Sequence, residues 1–170
     1  MKTKKTDNAL LFVSGAFTLL ICGVMNLYLI PLIEKTTGGI RMFDMQSFGY
    51  TYETAKEFVS LLSEKGLNTY LRVQLPLDFF YPVAYGVFFI LALKKLMPKK
   101  KAPRILPAAL MFFDYAENIV GIIMLKTDFS AAAAHAGCVF TVAKSFIMYA
   151  VIALILVLLI LKCVKRKRNV

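Results

Sequence analysis

The sequence predicts an all-α membrane protein: a bundle of four transmembrane helices, with a short outer amphipathic helix between spans one and two. Of its 170 residues, 59% are apolar and 18% are charged, whereas soluble domains average about half and about a quarter. The apolar residues fall into four blocks of about 20 residues or more, enough to cross a hydrocarbon core of about 30 Å. No block shows the alternation of a membrane strand, so the blocks are predicted to be helices.

The four predicted spans form a single domain over residues 1–170 and cover about residues 8–33, 70–96, 105–125 and 136–161. The first span needs its own argument, because a basic start before an apolar run is also typical of a signal peptide. Its apolar run continues for about 25 residues, and no small-residue cleavage site follows it. We therefore interpret this block as a retained span.

Basic residues concentrate in three segments: the N-terminus, the loop between spans two and three, and the C-terminus. These segments hold 14 of the 21 Lys and Arg residues, with Asp7 as their acidic residue. The positive-inside rule then places both termini and the middle loop in the cytoplasm of a multi-pass protein of the plasma (inner) membrane. The net charge of +11 is explained by contacts with membrane lipids at the span ends, so we expect no nucleic-acid partner.

Cofactor and metal chemistry find little support in the sequence. Cys22, Cys138 and Cys163 form no C-x-x-C pair, and His135 is the one histidine. No set of ligands has zinc spacing, and no phosphate-binding or dinucleotide motif is present. We expect no cofactor and no metal site.

Residues 34–69 form the predicted outer segment between spans one and two. Gly38 and Gly39 end the first helix, Thr51 begins a short one as its N-cap, and Gly66 is predicted to end it. Its apolar positions recur at helical spacing: Tyr52, Ala55, Phe58, Val59 and Leu62. Two interpretations stay open, because such a helix can lie on the lipid headgroups or cover the outer ends of the spans.

Each predicted span carries polar side chains that are costly within a bilayer and that face the interior of a bundle. They are Asn26 in span one, Asp78 in span two, Asp114, Glu117 and Asn118 in span three, and Lys144 in span four. From the rise of about 1.5 Å per residue, Asp78, Glu117 and Lys144 lie about 12 Å inside the outer ends of their helices. Asn26 and Asp114 lie about 10 Å and about 16 Å inside. We expect these groups to meet at one level.

Helix spacing also predicts which side chains share a face. The polar residues of span three are spaced i, i+3 and i+4, and Asp78 and Tyr81 are spaced i, i+3. Pro76 and Pro82 flank that pair, and proline kinks a span where a cavity or water can satisfy the freed backbone groups. The pattern predicts a pocket near Asp78 that opens outward.

Charge counting predicts an excess of acid in this polar layer. Asp78, Asp114 and Glu117 stand against Lys144 and the shallower Arg72. One carboxyl is left over, and a buried unpaired carboxyl takes up a proton or holds a cation. Two other interpretations stay open: Lys144 extends to the outer headgroups, or the polar groups join the spans as interhelical contacts. Seven residues are candidate ligand-binding residues, and none is assigned as catalytic: Asp78, Tyr81, Asp114, Glu117, Asn118, Lys144 and Asn26.

Three stretches resemble an uncharacterised family of small bacterial four-span membrane proteins. They are FDMQSFGYTYETAKEFVSLLSEKG (43–66), YLRVQLPLDFFYPVAYG (70–86) and FFDYAEN (112–118), and a Lys in the last span also fits. The resemblance implies that eight positions matter: Asp44, Tyr70, Asp78, Pro82, Asp114, Glu117, Asn118 and Lys144. In architecture alone the chain is similar to sterol-isomerase and sigma-2-receptor-like four-span proteins, which also keep acids in an intramembrane cavity.

Three functions are consistent with this sequence. The first is a binding or transport protein whose outward-facing pocket takes a small cationic or amphipathic molecule, a lipid or a proton. The second is a structural or accessory membrane subunit. The third is an intramembrane acid/base enzyme acting on a lipid-soluble substrate. Four spans form only a small translocation path, so a transporter would be a homodimer.

Overall fold

The computed structural model describes residues 2–127 and 129–168, with side chains described for 5–127 and 129–166. Four side chains that bear on the predicted orientation lie outside that part: Lys2, Lys4, Lys167 and Arg168. The described residues are 87% helical and contain no strand. Four helices are long and apolar enough to cross a membrane, here called the first to fourth long helices: Lys5–Thr37, Glu64–Leu96, Ala102–Lys126 and Ala131–Arg166. The all-α fold with four such helices is confirmed, and their insertion into a membrane stays a prediction.

The first long helix joins α1 (Lys2–Val24), a π-helical turn (Met25–Leu29) and α2 (Ile30–Glu34). A 3-10 turn (Lys35–Thr37) forms its last part, and it ends at Gly38, whose φ of 73° is a left-handed conformation that suits glycine. The predicted break at Gly38 is therefore present.

The short helix α3 (Tyr52–Leu61) follows the segment of residues 38–51, here called the connecting segment. Thr51 caps α3 by accepting a hydrogen bond of 3.2 Å from the Thr54 N–H. Ala55 and Phe58 are buried, whereas Glu53, Lys56, Glu57 and Ser60 are exposed on the other face. A helix with one buried face is thus present, and its place outside a bilayer stays a prediction.

The second long helix begins earlier than the predicted residue 70. It joins α4 (Glu64–Thr69), a second π-helical turn (Tyr70–Gln74) and α5 (Leu75–Leu96). The prediction that Gly66 ends the preceding helix is wrong, because Gly66 lies inside α4. The chain turns at Leu62, which is extended, and the Ser63 hydroxyl then caps α4 by accepting from the Gly66 N–H at 3.1 Å.

Both π-helical turns lie just before a proline, at Pro31 and at Pro76. In each turn the backbone N–H of the following residue bonds five residues back, from Ile30 to Met25 and from Leu75 to Tyr70. A proline ring clashes with the carbonyl four residues before it, and a wider turn relieves that clash. The prolines therefore explain where these two helices widen.

The third and fourth long helices complete the bundle as α6 (Ile105–Lys126) and α7 (Ala131–Arg168). α7 begins five residues before the predicted residue 136, since Ser130 caps it by accepting from the Ala133 N–H at 3.2 Å. Beyond Val151 no described side chain of α7 is buried, although this part is strongly apolar. An apolar surface of this kind is typical of a helix that faces lipid.

Neighbouring long helices pack in chain order: the first on the second, the second on the third, and the third on the fourth. The second also touches the fourth, whereas the first and fourth are not among the closely packed pairs. Most of the buried apolar core lies at the end near α3, where Met42, Phe43 and Phe58 are almost fully buried. The polar residues lie between this core and a smaller one around Tyr85 and Leu110.

Candidate functional site

An ion-pair network joins the third and fourth long helices. The Lys144 ammonium pairs with the Glu117 carboxylate and lies 3.8 Å from Asp114 Oδ1. The Thr141 hydroxyl, one helical turn before Lys144, donates to the other oxygen of Glu117. Only 14% of the Lys144 side chain is exposed, so this side chain does not extend to the headgroups as one interpretation of the sequence allowed. Its inward direction follows from the pairing with two buried carboxylates.

Three further hydrogen bonds tie the second long helix to the third. The Tyr85 hydroxyl donates to Asp114 Oδ2 at 2.7 Å, and both side chains are buried. The Asn118 amide donates to the backbone carbonyl of Asp78 at 3.2 Å. The Tyr115 hydroxyl donates to the backbone carbonyl of Phe79 at 2.9 Å. These bonds satisfy backbone and side-chain groups and hold the second and third helices in register.

A cavity of about 160 Å³ lies beside this network and is walled by all four long helices and the connecting segment. It is lined by Met25, Asn26, Ile30, Asp44, Met45, Ser47, Asp78, Tyr81, Asp114, Lys144, Ser145, Met148 and Tyr149. The lining combines carboxylates with thioether and aromatic side chains, a composition that suits a ligand with a charged end and an apolar body.

Asp44 reaches the cavity from a 3-10 turn (Phe43–Met45) in the connecting segment. Phe43 anchors this turn, because its buried ring packs edge-on against Phe58 with 5.0 Å between centroids. One oxygen of Asp44 is buried with no hydrogen-bond partner among the described residues. Burial raises the pKa of Asp44 above its ordinary value of 3.8, and the nearby Lys144 ammonium only partly opposes that rise.

Acid outnumbers base in this cavity. Asp44, Asp78 and Asp114 line it, and Lys144 is its one basic lining residue. Within the described part of the chain, no Lys or Arg forms an ion pair with Asp44 or Asp78. The prediction that Arg72 contributes to the charge balance is wrong, because Arg72 is exposed and lines a separate groove.

The seven predicted site residues fall into two groups. Five line the cavity: Asn26, Asp78, Tyr81, Asp114 and Lys144. Glu117 and Asn118 do not, because their polar atoms are already engaged by Lys144, Thr141 and the Asp78 backbone. Asn26 lies only at the exposed edge, where its amide donates to the Cys22 carbonyl at 2.9 Å.

Sequence reasoning missed three members of the site: Tyr85, Thr141 and, as a ligand-binding candidate, Asp44. A signal existed for the first two. Tyr85 follows Asp78 by seven residues and Thr141 precedes Lys144 by three, so each shares a helix face with a residue that was singled out. Asp44 lies in a segment without periodicity, and only the resemblance to the bacterial family pointed to it.

From the exposure of the lining residues, we infer that the cavity opens between the first and fourth long helices. Its exposed lining residues are Asn26 on the first helix and Tyr149 on the fourth, which is 50% exposed. The pocket was predicted to open outward, but the connecting segment lies across that end of the cavity and lines it with Asp44, Met45 and Ser47. This difference arises because the apolar core beneath α3 draws that segment down onto the bundle.

In the described residues, no group of three or more His, Cys, Asp or Glu is placed to hold a metal ion. Comparison with family models, curated proteins and solved structures finds no match to the chain.

Proposed function

We propose that this protein crosses a cell membrane four times and binds a small organic cation, such as a protonated amine, in its polar cavity. The observation that carries the proposal is the excess of acid in that cavity: three carboxyls line it, with Lys144 as the one basic residue. Asp44 and Asp78 have no ion-pair partner in the described chain. A buried carboxylate without a counter-charge is costly, and a bound cation removes that cost.

The cavity volume supports a compact ligand. A dry protein cavity of about 150 Å³ accommodates benzene, whereas typical sites for drug-sized ligands are about 300 Å³ or larger. At about 160 Å³ this cavity suits an amine with a short apolar body better than it suits a lipid. Met25 and Met148 supply soft apolar contacts, and the rings of Tyr81 and Tyr149 are suited to a cationic headgroup.

The membrane placement that we propose combines hydropathy with charge. The four long helices supply the spans, and the positive-inside rule places both termini in the cytoplasm. α3 and the connecting segment then lie on the outer side, with the cavity in the outer half of the bilayer. The opening between the first and fourth helices would admit an amine that partitions into the membrane.

A structural role is the second candidate function, and it is favoured by those polar residues of the long helices that already pair with one another. Glu117, Thr141 and Lys144 satisfy one another, and Asp114 accepts from Tyr85. Such pairs act as interhelical contacts without any ligand. They leave Asp44 and Asp78 unexplained, which is why we place binding first.

Binding is tested by thermal unfolding of the purified protein in detergent with primary alkylamines from methylamine to hexylamine. We expect stabilisation that is greatest for amines of about five to seven non-hydrogen atoms, and none from the uncharged alcohols of equal length. Asp78→Asn should weaken amine binding about 10-fold or more, because it removes a charge-assisted contact.

The matched control is Glu57→Gln, which removes the same charge from an exposed position on α3. We expect this variant to bind amines as the unmodified protein does. Equal stabilisation by alcohols and amines, or unchanged binding by Asp78→Asn, would contradict the proposal and favour the structural role.

A further inference from the structure

A second cavity, of about 530 Å³, lies at the opposite end of the bundle from α3. It is a groove between the start of the first long helix, the end of the second and the loop that follows the second. Its rim is polar, with Asp7 and Asn8 on one side and Lys94 and Lys95 on the other. This groove shares no residue with the cavity that holds Asp78.

The rim carries positive charge that the protein does not neutralise. Lys94 pairs with Asp7 at 2.7 Å, but Lys95 donates at 2.9 Å to the neutral side chain of Asn8. Arg104 also lines the groove and forms no ion pair in the described residues. Two of the three basic side chains around the groove thus lack an acidic partner.

Arg104 has a further donor without an acceptor. Its Nη2 donates to the backbone carbonyls of Met97 and Pro98 at 3.4 Å and 3.3 Å, which closes the loop onto the groove. Its Nε has no hydrogen-bond partner among the described residues, and only its Nη2 group is bonded to the protein. A guanidinium has five N–H donors, so Arg104 keeps donors that the described residues do not use.

The inner wall of the groove is apolar, because Leu11 and Leu91 line it one turn below the rim. The groove therefore passes from positive charge to apolar surface over a single helical turn. A basic rim above an apolar wall is complementary to a phospholipid, whose charged headgroup adjoins its acyl chains.

We infer that this groove is a binding site for one anionic phospholipid, whose phosphate is held by Lys95 and Arg104. The fork of a guanidinium and the point charge of an ammonium are the donors that bind phosphate oxygens most strongly. The first part of an acyl chain would lie on Leu11 and Leu91. A soluble phosphate compound shares the headgroup chemistry but cannot use this apolar wall.

The test uses the purified protein in an uncharged detergent, with bound lipid counted by native mass spectrometry. Phosphatidylglycerol should be retained about 10-fold more tightly than phosphatidylcholine, and raising the salt concentration should weaken its retention. Lys95→Gln with Arg104→Gln should reduce phosphatidylglycerol retention about 10-fold or more, and Lys95→Gln alone should reduce it by a smaller factor. The single variant keeps the test informative if the loss of Arg104 impairs folding.

The matched control is Lys35→Gln with Lys65→Gln, which removes two exposed lysines from another groove at the α3 end. We expect this control to retain phosphatidylglycerol fully. Equal loss in the control, or equal retention of the two lipids, would overturn the inference. Displacement of phosphatidylglycerol by an equal concentration of glycerol 3-phosphate would also overturn it, because it would identify a soluble phosphate site.

Discussion

At the scale of single residues, the polar layer separates into a paired part and an unpaired part. Lys144, Glu117 and Thr141 contact one another between two helices, whereas Asp78 and Asp44 line the cavity and form no ion pair in the described residues. The same residue types therefore serve two purposes. Paired groups hold helices together, whereas unpaired carboxyls are the groups that we propose bind a ligand.

Lys144→Met is expected to lower the free energy of unfolding by about 3–5 kcal/mol, because it leaves Glu117 buried without its counter-charge. Reversible unfolding in mixed detergent micelles measures this change. The double variant Lys144→Met with Glu117→Gln should be more stable than Lys144→Met alone, since the orphaned charge is gone. The exposed Lys65→Met serves as control and should change stability by no more than about 0.5 kcal/mol. Similar losses in Lys144→Met and in the control would contradict the role of the ion pair.

At the scale of elements, the contact between α4 and the end of the first long helix depends on a glycine. A Cβ at Gly66 would collide with the Thr36 hydroxyl and come within 2.9 Å of Leu62 Cδ1. Thr36 has little freedom to move, because its hydroxyl donates to the Ile33 carbonyl at 2.7 Å. Gly66 is therefore a packing residue and not the helix stop that its position in the sequence suggested.

Gly66→Ala is expected to destabilise the protein by about 1–3 kcal/mol through this overpacking. Gly23→Ala is its matched control, because Gly23 also lies in a helix and a Cβ there meets nothing within 4 Å. The control should be neutral or stabilising by up to about 1 kcal/mol, as expected from helix propensity. Unfolding of both variants under the same conditions measures the difference, and a Gly66→Ala variant as stable as Gly23→Ala would show that the packing at Thr36 relaxes easily.

At the scale of the whole molecule, the predicted topology of four membrane spans places α3 and the C-terminal end of α7 on opposite sides of the membrane. Cys163 is exposed near the end of α7, and Ser60 is exposed on α3. These two positions report on the orientation independently of each other. A cysteine at either position is accessible to a thiol reagent that does not cross membranes: Cys163 is native, and the other is introduced by Ser60→Cys.

We expect Cys163 to react with such a reagent in inside-out membrane vesicles and not in right-side-out vesicles. A cysteine introduced by Ser60→Cys should show the reverse pattern, because the positive-inside rule places α3 on the outer side. Peptide mass spectrometry assigns each label to its residue, and labelling after detergent extraction controls for reactivity. Labelling of both positions from one side would contradict four spans.

Much of the architecture could be predicted because hydropathy is a local property of the chain. The four apolar blocks predicted the four long helices, and Thr51 marked the start of α3. The predicted starts of the second and fourth long helices were less accurate, because α4 and the first turn of α7 consist largely of polar or small residues. These segments are helical because of their caps and their packing. The π-helical turn before Pro76 was predicted only as a kink, and the one before Pro31 was not predicted.

Chain order and helix spacing by themselves determined the all-α class of this protein, its four long helices and five of the thirteen residues that line the cavity. Side chains spaced by three, four or seven positions share a face whatever surrounds the helix. Only the tertiary structure decided which of these residues are paired and which face open space. It brought Asp44 into the cavity, excluded Arg72 and engaged Glu117 with Lys144. The physical reason is that pairing depends on distances between helices far apart in the chain, and the burial of Met42 and Phe43 sets the position of the connecting segment.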